Sequence, residues 1–383
     1  MTGRPGGPAR APRERMKILY TNFHPRGSGG HAPYIINLVR SFHGEHEIVL
    51  ATPGSSRLFA LARQIPGVRC VDTPYSTRLW PMLGEVGRLR RLLREGRFDI
   101  VHVNGSADHR QAMLARLGLR HAPRIVWTKH NTKPVGSLGN HIRARLGTDG
   151  AIGVCEFVSR QLRASPYGHR PVHTIRLGVD TGHFAPPSPR AVACARRELL
   201  GELPGDVLVL GSVGGTDRDK GWLFLVQAAA RLPRAQRARV RILVAGDPPP
   251  EPLRREVRDL GMEDAVVLPG QVADARRVLA ASHVSFVLSL HEAGSYAACE
   301  SLAMGLPTLV SDAGGLPELV RHGVDGWIVP RGDVDAIHAW LLERLEAPYG
   351  PGFPKAARAR ALALFSLPDF ARKTMDFYRE VCA

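Results

Sequence analysis

Cysteine is scarce and scattered in this 383-residue chain. Cys70, Cys155, Cys194, Cys299 and Cys382 never stand in CxxC spacing. That argues against a zinc or disulfide framework and fits a reducing cytoplasm. Long apolar runs are missing as well. The most apolar stretches, such as Ala281–Leu290, fall far short of the roughly 20 residues a membrane span needs and read as buried strands. The first 15 residues, Met1–Arg15, hold Gly, Pro and Arg but no apolar core of a secretory leader. Met16–Asn22 then begins like a first strand. Met16 is therefore read as the true start, and residues 1–15 as a disordered extension or as no part of the protein.

Acidic residues are scarce in one half only. Residues 1–180 carry 28 Lys and Arg against 11 Asp and Glu, whereas the remaining residues carry 24 of each sign. The whole net charge of +17 thus sits in the first half. A bias toward arginine would explain the many arginines of both halves but not this asymmetry. A one-sided basic field points to an anionic partner: nucleic acid, a lipid surface or a phosphorylated substrate. What is present is otherwise ordinary: 44% hydrophobic and 23% charged residues exclude wholesale disorder and give length for a sizeable core.

Short β-rich runs alternate with helical periods throughout. The first half shows strands near Lys17–Asn22, Glu47–Ala51, Ile100–Val103, Ile125–Thr128, Ala151–Val154 and Val172–Ile175. Helical periods fall near Ala32–Phe42, Gly84–Glu95 and Gln111–Leu119. The second half repeats the plan. Its strands are near Val207–Val213, Arg241–Ala245, Ala265–Leu268, Val284–Leu290, Pro307–Val310 and Gly326–Val329, and its helices near Lys220–Leu232, Glu251–Leu260, Tyr296–Met304 and Val334–Leu345. Near-continuous apolar strands between helices predict parallel sheets covered on both faces. Two sets of about six predict an α/β protein of two doubly wound domains. Their boundary is placed in the proline-rich stretch Gly182–Arg190.

Four motifs follow predicted strands, where open α/β sheets bind ligands. After Val284–Leu290 comes His291-Glu292-Ala-Gly294-Ser295-Tyr296, leading to Glu300. Ser295 suits a helix N-cap, and the first-turn amides behind it would suit a phosphate. Glu292 and Glu300 would accept from hydroxyls. A capped helix with one surface glutamate is the plainer reading, of about equal weight. After Val207–Val213 comes Gly214-Gly215-Thr216-Asp217-Arg218-Asp219-Lys220-Gly221, whose Arg218 and Lys220 would clamp a pyrophosphate. It lacks the P-loop pattern. Its Asp217 and Asp219 are assigned to the start of the next helix rather than to a metal. Gly27-Ser28-Gly29-Gly30-His31 resembles half a dinucleotide fingerprint, or is a tight turn. Thr128-Lys129-His130-Asn131 offers a histidine as general base or as partner of a sugar hydroxyl. His102 alternates along a strand and reads as structural. The arginines at 88, 90, 91, 94 and 97 make a solvated face or a contact for anionic lipid.

Together these pieces resemble the GT4 family (glycosyltransferase group 1) of retaining glycosyltransferases, with the GT-B fold of two Rossmann-like doubly wound domains facing a central cleft. The resemblance covers residues 16–383. It is sharpest at Glu292–Glu318, which is similar to the family's E-x7-E signature and the GLP and GG-x-PE segments that follow. It implies an acceptor-binding domain at 16–182, joined by a C-terminal helix at 366–383, and a nucleotide-sugar-binding domain at 183–365. By the resemblance, Lys220 would hold the donor diphosphate, helped by Gly29, Gly30 and the helix start at Gly294, Ser295 and Tyr296. Glu300 would hold the ribose and Gly270-Gln271 would lie near the base. Glu292 and His130 would serve the transferred sugar, as the catalytic pair. No metal or cofactor is implied, since lysine and helix amides face the diphosphate and the nucleotide sugar is a substrate.

Three positions depart from the family. Gly215 stands where its second phosphate-binding arginine is usual, so Arg218 is assigned as the substitute. Gly294-Ser295 replaces Phe-Gly, and Leu177 replaces Asn. The basic first half predicts an anionic acceptor, such as lipopolysaccharide or a lipid-linked oligosaccharide, met at the inner face of the cytoplasmic membrane by peripheral contact. The expected donor is a UDP- or GDP-sugar. A sugar-nucleotide epimerase of the same fold and a degenerate nucleotide-sugar-binding subunit are the alternatives. Nucleic acid has only the charge in its favour.

Overall fold

The computed structural model describes residues 15–24 and 30–383. The expectations for residues 1–14 and for Gly29 lie outside the described residues. Up to Gly178, together with Leu367–Ala383, the described chain forms one compact unit; Val179–Ser366 forms a second.

The first unit holds seven strands: β1 (Lys17–Thr21), β2 (Glu47–Thr52), β3 (Arg69–Asp72), β4 (Ile100–Val103), β5 (Arg124–Lys129), β6 (Gly150–Gly153) and β7 (Val172–Thr174). They form one sheet in the order β3-β2-β1-β4-β5-β6-β7, with parallel pairing throughout. The second unit holds β8 (Leu208–Ser212), β9 (Val240–Ala245), β10 (Val266–Gly270), β11 (Val284–Val287), β12 (Thr308–Ser311) and β13 (Gly326–Val329), ordered β10-β9-β8-β11-β12-β13. These pairs are parallel too. The central strands are buried along their length, as in IVHV of β4 and VSFV of β11. Burial on both faces is why they read as continuous apolar runs.

Each sheet reverses its strand order once, between β1 and β4 and between β8 and β11. Beyond the carboxyl ends of such neighbours the connecting loops diverge and leave a crevice. Serine and aspartate caps mark several of the helices that follow strands. Ser137 accepts from Asn140 N, Ser295 from Ala298 N and Asp333 from Ala336 N, each satisfying an amide that the first turn leaves open.

The last helix, Leu367–Cys382, packs on the first unit. The Tyr378 hydroxyl donates to Tyr20 Oη at 3.1 Å, and the Phe370 ring meets Tyr34 at 5.0 Å. Gly178 allows this approach, since a Cβ there would fall 2.4 Å from the Phe370 ring.

Some expectations need correction. The sheets have seven and six strands, close to the two sets of about six expected, with one strand added in the first. The unforeseen β3, RCVD, lies at the sheet edge and is partly exposed, so it carries no apolar run. Ala281–Leu290 is not one strand: Ala281 ends a helix and β11 spans only Val284–Val287. The helix placed at Gly84 begins at Leu79, behind an extended Arg78 that makes no side-chain cap. No single helix covers Lys220–Leu232. A 3-10 turn, Arg218–Lys220, precedes Gly221 and the helix Trp222–Ala230. Asp217 opens that turn without a side-chain cap bond, and Gly221 rather than an aspartate is the N-cap of the helix.

Candidate active site

In the second unit, the loop after β8 is pinned against the segment leaving β11. Leu290 N donates to Asp219 O at 2.9 Å, and the Trp222 indole donates to Thr216 O at 2.8 Å. Gly221 makes the fit possible. Its φ is +73°, and a Cβ would sit 1.9 Å from Leu288 O, so no other residue allows the loop this close. The result sets Lys220 beside Glu292, Nζ to Oε2 3.1 Å. Ser289 Oγ also donates to Glu292 Oε2, at 3.4 Å, and Gly315 N holds the Glu292 carbonyl at 3.0 Å. Both ionic groups are partly buried, so each offsets the desolvation of the other.

The helix Tyr296–Ala303 starts just beyond. Ser295 Oγ accepts from Ala298 N at 3.3 Å, capping the first turn. Gly294, Ser295 and Tyr296 therefore stand at a positive helix end. Glu300 lies one turn on. The residue is half-buried, and burial pushes its pKa up to about 8. At neutral pH it is mainly a protonated acid.

Three loops at this edge are tied together. Thr216 Oγ1 and Gln271 Nε2 both donate to Asp247, one to its backbone carbonyl and one to its side chain. Gly246 N donates to Gly270 O at 3.0 Å. Gly270 and Gln271 thus border the same edge as Lys220. Arg218 points elsewhere: its guanidinium pairs with Glu256 of the helix Glu251–Asp259, whose other oxygen takes Gln227 Nε2 at 2.9 Å. Gly215 has φ +96°, a backbone that an arginine adopts only under strain.

In the first unit, His130 follows β5 and meets Asn104, which follows β4: Nε2 to Oδ1 is 2.9 Å. The Asn104 amide nitrogen is already committed, donating to Thr21 O at 3.0 Å. Oδ1 is therefore the acceptor, His130 Nε2 carries the proton, and Nδ1 keeps the lone pair. The His130 ring lies 4.2 Å from the ring of His31 and 4.7 Å from that of Tyr34. Burial, and then the neighbouring histidines, hold its pKa well below the usual imidazole range. Burial pushes His31 down to about 3. His130 is thus a neutral imidazole that accepts at Nδ1. Gly30 is the N-cap of the helix His31–Phe42, and its carbonyl takes Tyr34 N at 3.2 Å.

His102 is core, as its alternation suggested. It is fully buried, bonded through Nε2 to Thr128 Oγ1 at 2.6 Å and through Nδ1 to the Tyr378 hydroxyl. The roles of two neighbours of the site went unforeseen. Asn104 orients His130, and the signal for it was its place directly after a buried strand. Lys129 is buried and donates to Asn131 and Lys133 carbonyls, closing the loop after β5.

Two doubly wound parallel sheets in one chain, each with polar side chains gathered beyond its switch point, make the GT-B architecture of glycosyltransferases. Solved structures share it. A glycosyltransferase from Rickettsia africae ESF-5 gives a TM-score of 0.81 at 18% identity, over 96% of this chain and 99% of that one. HepE from Anabaena, crystallised with UDP and glucose, gives 0.80 at 19% identity, over 95% and 99%. Residues 28–183 match the family described as Glycosyltransferase Family 4, and residues 206–346 match Glycosyl transferases group 1. A GDP-mannose-dependent alpha-(1-6)-phosphatidylinositol monomannoside mannosyltransferase of Mycolicibacterium smegmatis is 30% identical over 354 residues, 86% of this chain and 89% of that protein. A D-inositol 3-phosphate glycosyltransferase of Mycobacterium bovis is 30% identical over 87% of this chain and 72% of that protein. The chain belongs to the group 1, family 4 glycosyltransferases, and it is a transferase enzyme.

Proposed function

We propose that the protein moves a hexose, with retention, from a nucleotide diphosphate sugar to a phosphate-bearing glycolipid at the anionic inner face of the cytoplasmic membrane. The observation that carries this reading is the Lys220–Glu292 pair at the carboxyl end of β11, beside the start of the helix Tyr296–Ala303. An incoming diphosphate would take over the Lys220 ammonium and lie at the positive end of that helix. That exchange frees Glu292 to accept from sugar hydroxyls. Fixed positive groups at the leaving diphosphate act as the charge develops, which is where such groups lower a barrier most. Glu300 would hold the ribose hydroxyls, and Gly270 and Gln271 would border the base. Gly29 and Gly30 would add backbone amides, and Arg218 would reach the diphosphate only on leaving Glu256.

On the acceptor side, the neutral His130 supports a hydrogen-bonding role: Nδ1 would accept from a hydroxyl of the transferred sugar. Front-face attack lets a leaving phosphate oxygen take the acceptor proton, so this chain supplies position and charge rather than a nucleophile. The relatives above are named for GDP-mannose and for inositol-phosphate acceptors. Such acceptors match the excess of 28 cations over 11 anions in residues 1–180. A GDP-hexose and a phosphoinositide are therefore the first pair to test.

The test is calorimetry and product release with GDP-, UDP-, ADP- and CMP-sugars, on the wild type and on Lys220→Ala. One nucleotide sugar should bind, and binding should weaken sharply in the variant. Equal binding by both proteins, or turnover that inverts the anomeric carbon, overturns the reading.

A further inference from the structure

Nine large apolar side chains are exposed among the described residues; Leu117, Val324 and Leu362 stand singly, and the other six fall on two helices of the first unit. Leu79, Trp80 and Leu83 open the helix Leu79–Gly96, with Trp80 81% exposed. Leu138, Ile142 and Leu146 lie on the helix Leu138–Leu146, with Leu138 77% exposed. Spacing of four residues sets those three on one side of the helix. On the longer helix, a turn of 100° per residue aligns Trp80, Leu83, Gly87, Arg91 and Arg94. A Cβ at Gly87 would meet nothing within 4 Å, so this side is open. The helix Ser106–Arg116 packs between the two. Both apolar starts follow carboxyl ends of strands, Leu79 after β3 and Leu138 after β5. They share the edge of the sheet that carries His130.

The charge around them has one sign. From Thr73 to Thr148 the chain has 14 Lys or Arg, and its only acids are Glu85, Glu95, Asp99 and Asp108. Glu85 and Asp108 are buried and engaged within the unit. Arg78, Arg88, Arg91, Arg94 and Arg145 stay exposed. A soluble surface disperses exposed leucine and tryptophan. Here they cluster inside a cationic field, which is the pattern of a surface that lies on anionic lipid.

We propose that this face of the first unit is a membrane seat. Trp80, Leu79, Leu83 and the Leu138 stripe enter the headgroup boundary of an anionic bilayer, and the surrounding arginines hold its phosphates. The proposal deepens the reading above, on which it rests for its purpose: a lipid-borne acceptor would be met at the edge that carries His130.

The five tryptophans make the test selective. Trp127, Trp222, Trp327 and Trp340 are each 8% exposed or less, so Trp80 reports alone. Full-length protein is mixed with vesicles of phosphatidylcholine, without or with phosphatidylglycerol, at low and high salt. Flotation is measured together with tryptophan emission and quenching by brominated lipid. The wild type should float with the mixed vesicles, shift its emission to the blue and be quenched. Trp80→Ser with Leu138→Ser should weaken partition by about a hundredfold, roughly tenfold for each apolar side chain lost. Donor binding by calorimetry should not change, which also shows that the variant is folded.

Flotation without a Trp80 shift would mean that arginines alone touch the lipid, and the seat falls. It falls also if the double variant floats like the wild type, or if sedimentation without lipid shows a dimer that shields Trp80. Donor binding is read separately. A wild type that floats but binds no nucleotide sugar refutes the transferase site assignment and leaves the seat standing.

Discussion

Glu300→Gln tests the donor pocket through stability as well as through binding. The wild-type carboxyl has its pKa raised from 4.5 to about 8 by burial. A group whose folded pKa lies above its unfolded one binds more protons in the fold. Stability is then greatest below pH 4.5, falls as pH rises and levels off above about 8. Between pH 4.5 and 7 the loss is about 2.5 pH units at roughly 1.4 kcal/mol each, or about 3 kcal/mol. Glutamine keeps the shape and removes the titration. The variant should match the wild type near pH 4.5 and be more stable by about 3 kcal/mol at pH 7. For a domain of this size that is about 6–12 °C in melting temperature. Thermal unfolding from pH 4.5 to 9 gives the variant-minus-wild-type difference, in which the other titrating groups cancel. Nucleotide-sugar binding should move the opposite way. Ribose hydroxyls favour the carboxylate, so binding to wild type should release about one proton near pH 7, read by calorimetry in buffers of different ionisation heat, and Glu300→Gln should abolish that release. Parallel stability curves for the two proteins, or a variant less stable at pH 8, would refute the reasoning.

Lys220→Ala should lower kcat roughly a hundredfold by removing the cation nearest the leaving diphosphate, measured by nucleoside diphosphate release. Asn104→Asp should place a charge on His130, raise its pKa and make activity fall on the acid side of a pH–rate profile, because protonated Nδ1 no longer accepts. The wild type should show no such limb near neutrality. Gly221→Ala should cost about 3 kcal/mol or more in denaturant unfolding, from the positive φ and the clash with Leu288 O. The same change at Gly215, where the space is open, should cost only about 1 kcal/mol.

Elements that carry their own signal were legible in the sequence. Ser295 and the helix behind it stand where the capping pattern put them, because cap chemistry is local. Buried central strands such as β4 and β11 announced themselves by apolar runs. What stayed hidden depends on distant partners. The edge strand β3 is defined by pairing with β2 rather than by its own residues. The orientation of His130 is set by Asn104, 26 residues away, and no periodicity connects them. Arg218 read as a phosphate ligand because it sits in a glycine-rich loop; its partner Glu256 lies 38 residues on, in a helix whose approach to that loop the sequence did not reveal.

The return of the last helix to the first unit has a cost in time. Tyr20, Tyr378, His102, Thr128 and Tyr34 form one buried chain of hydroxyl and imidazole contacts, and Tyr378 reaches the ribosome exit last. The whole second unit, Val179–Ser366, must be synthesised in between. At about 5–20 residues per second that takes roughly 10–40 s. Throughout it, the nascent first unit carries a bare apolar groove where Phe370, Phe377 and Tyr378 will pack. Packing of this half is therefore completed only after the second unit has been synthesised, and a chaperone that shelters an exposed sheet face has its longest opportunity in that interval.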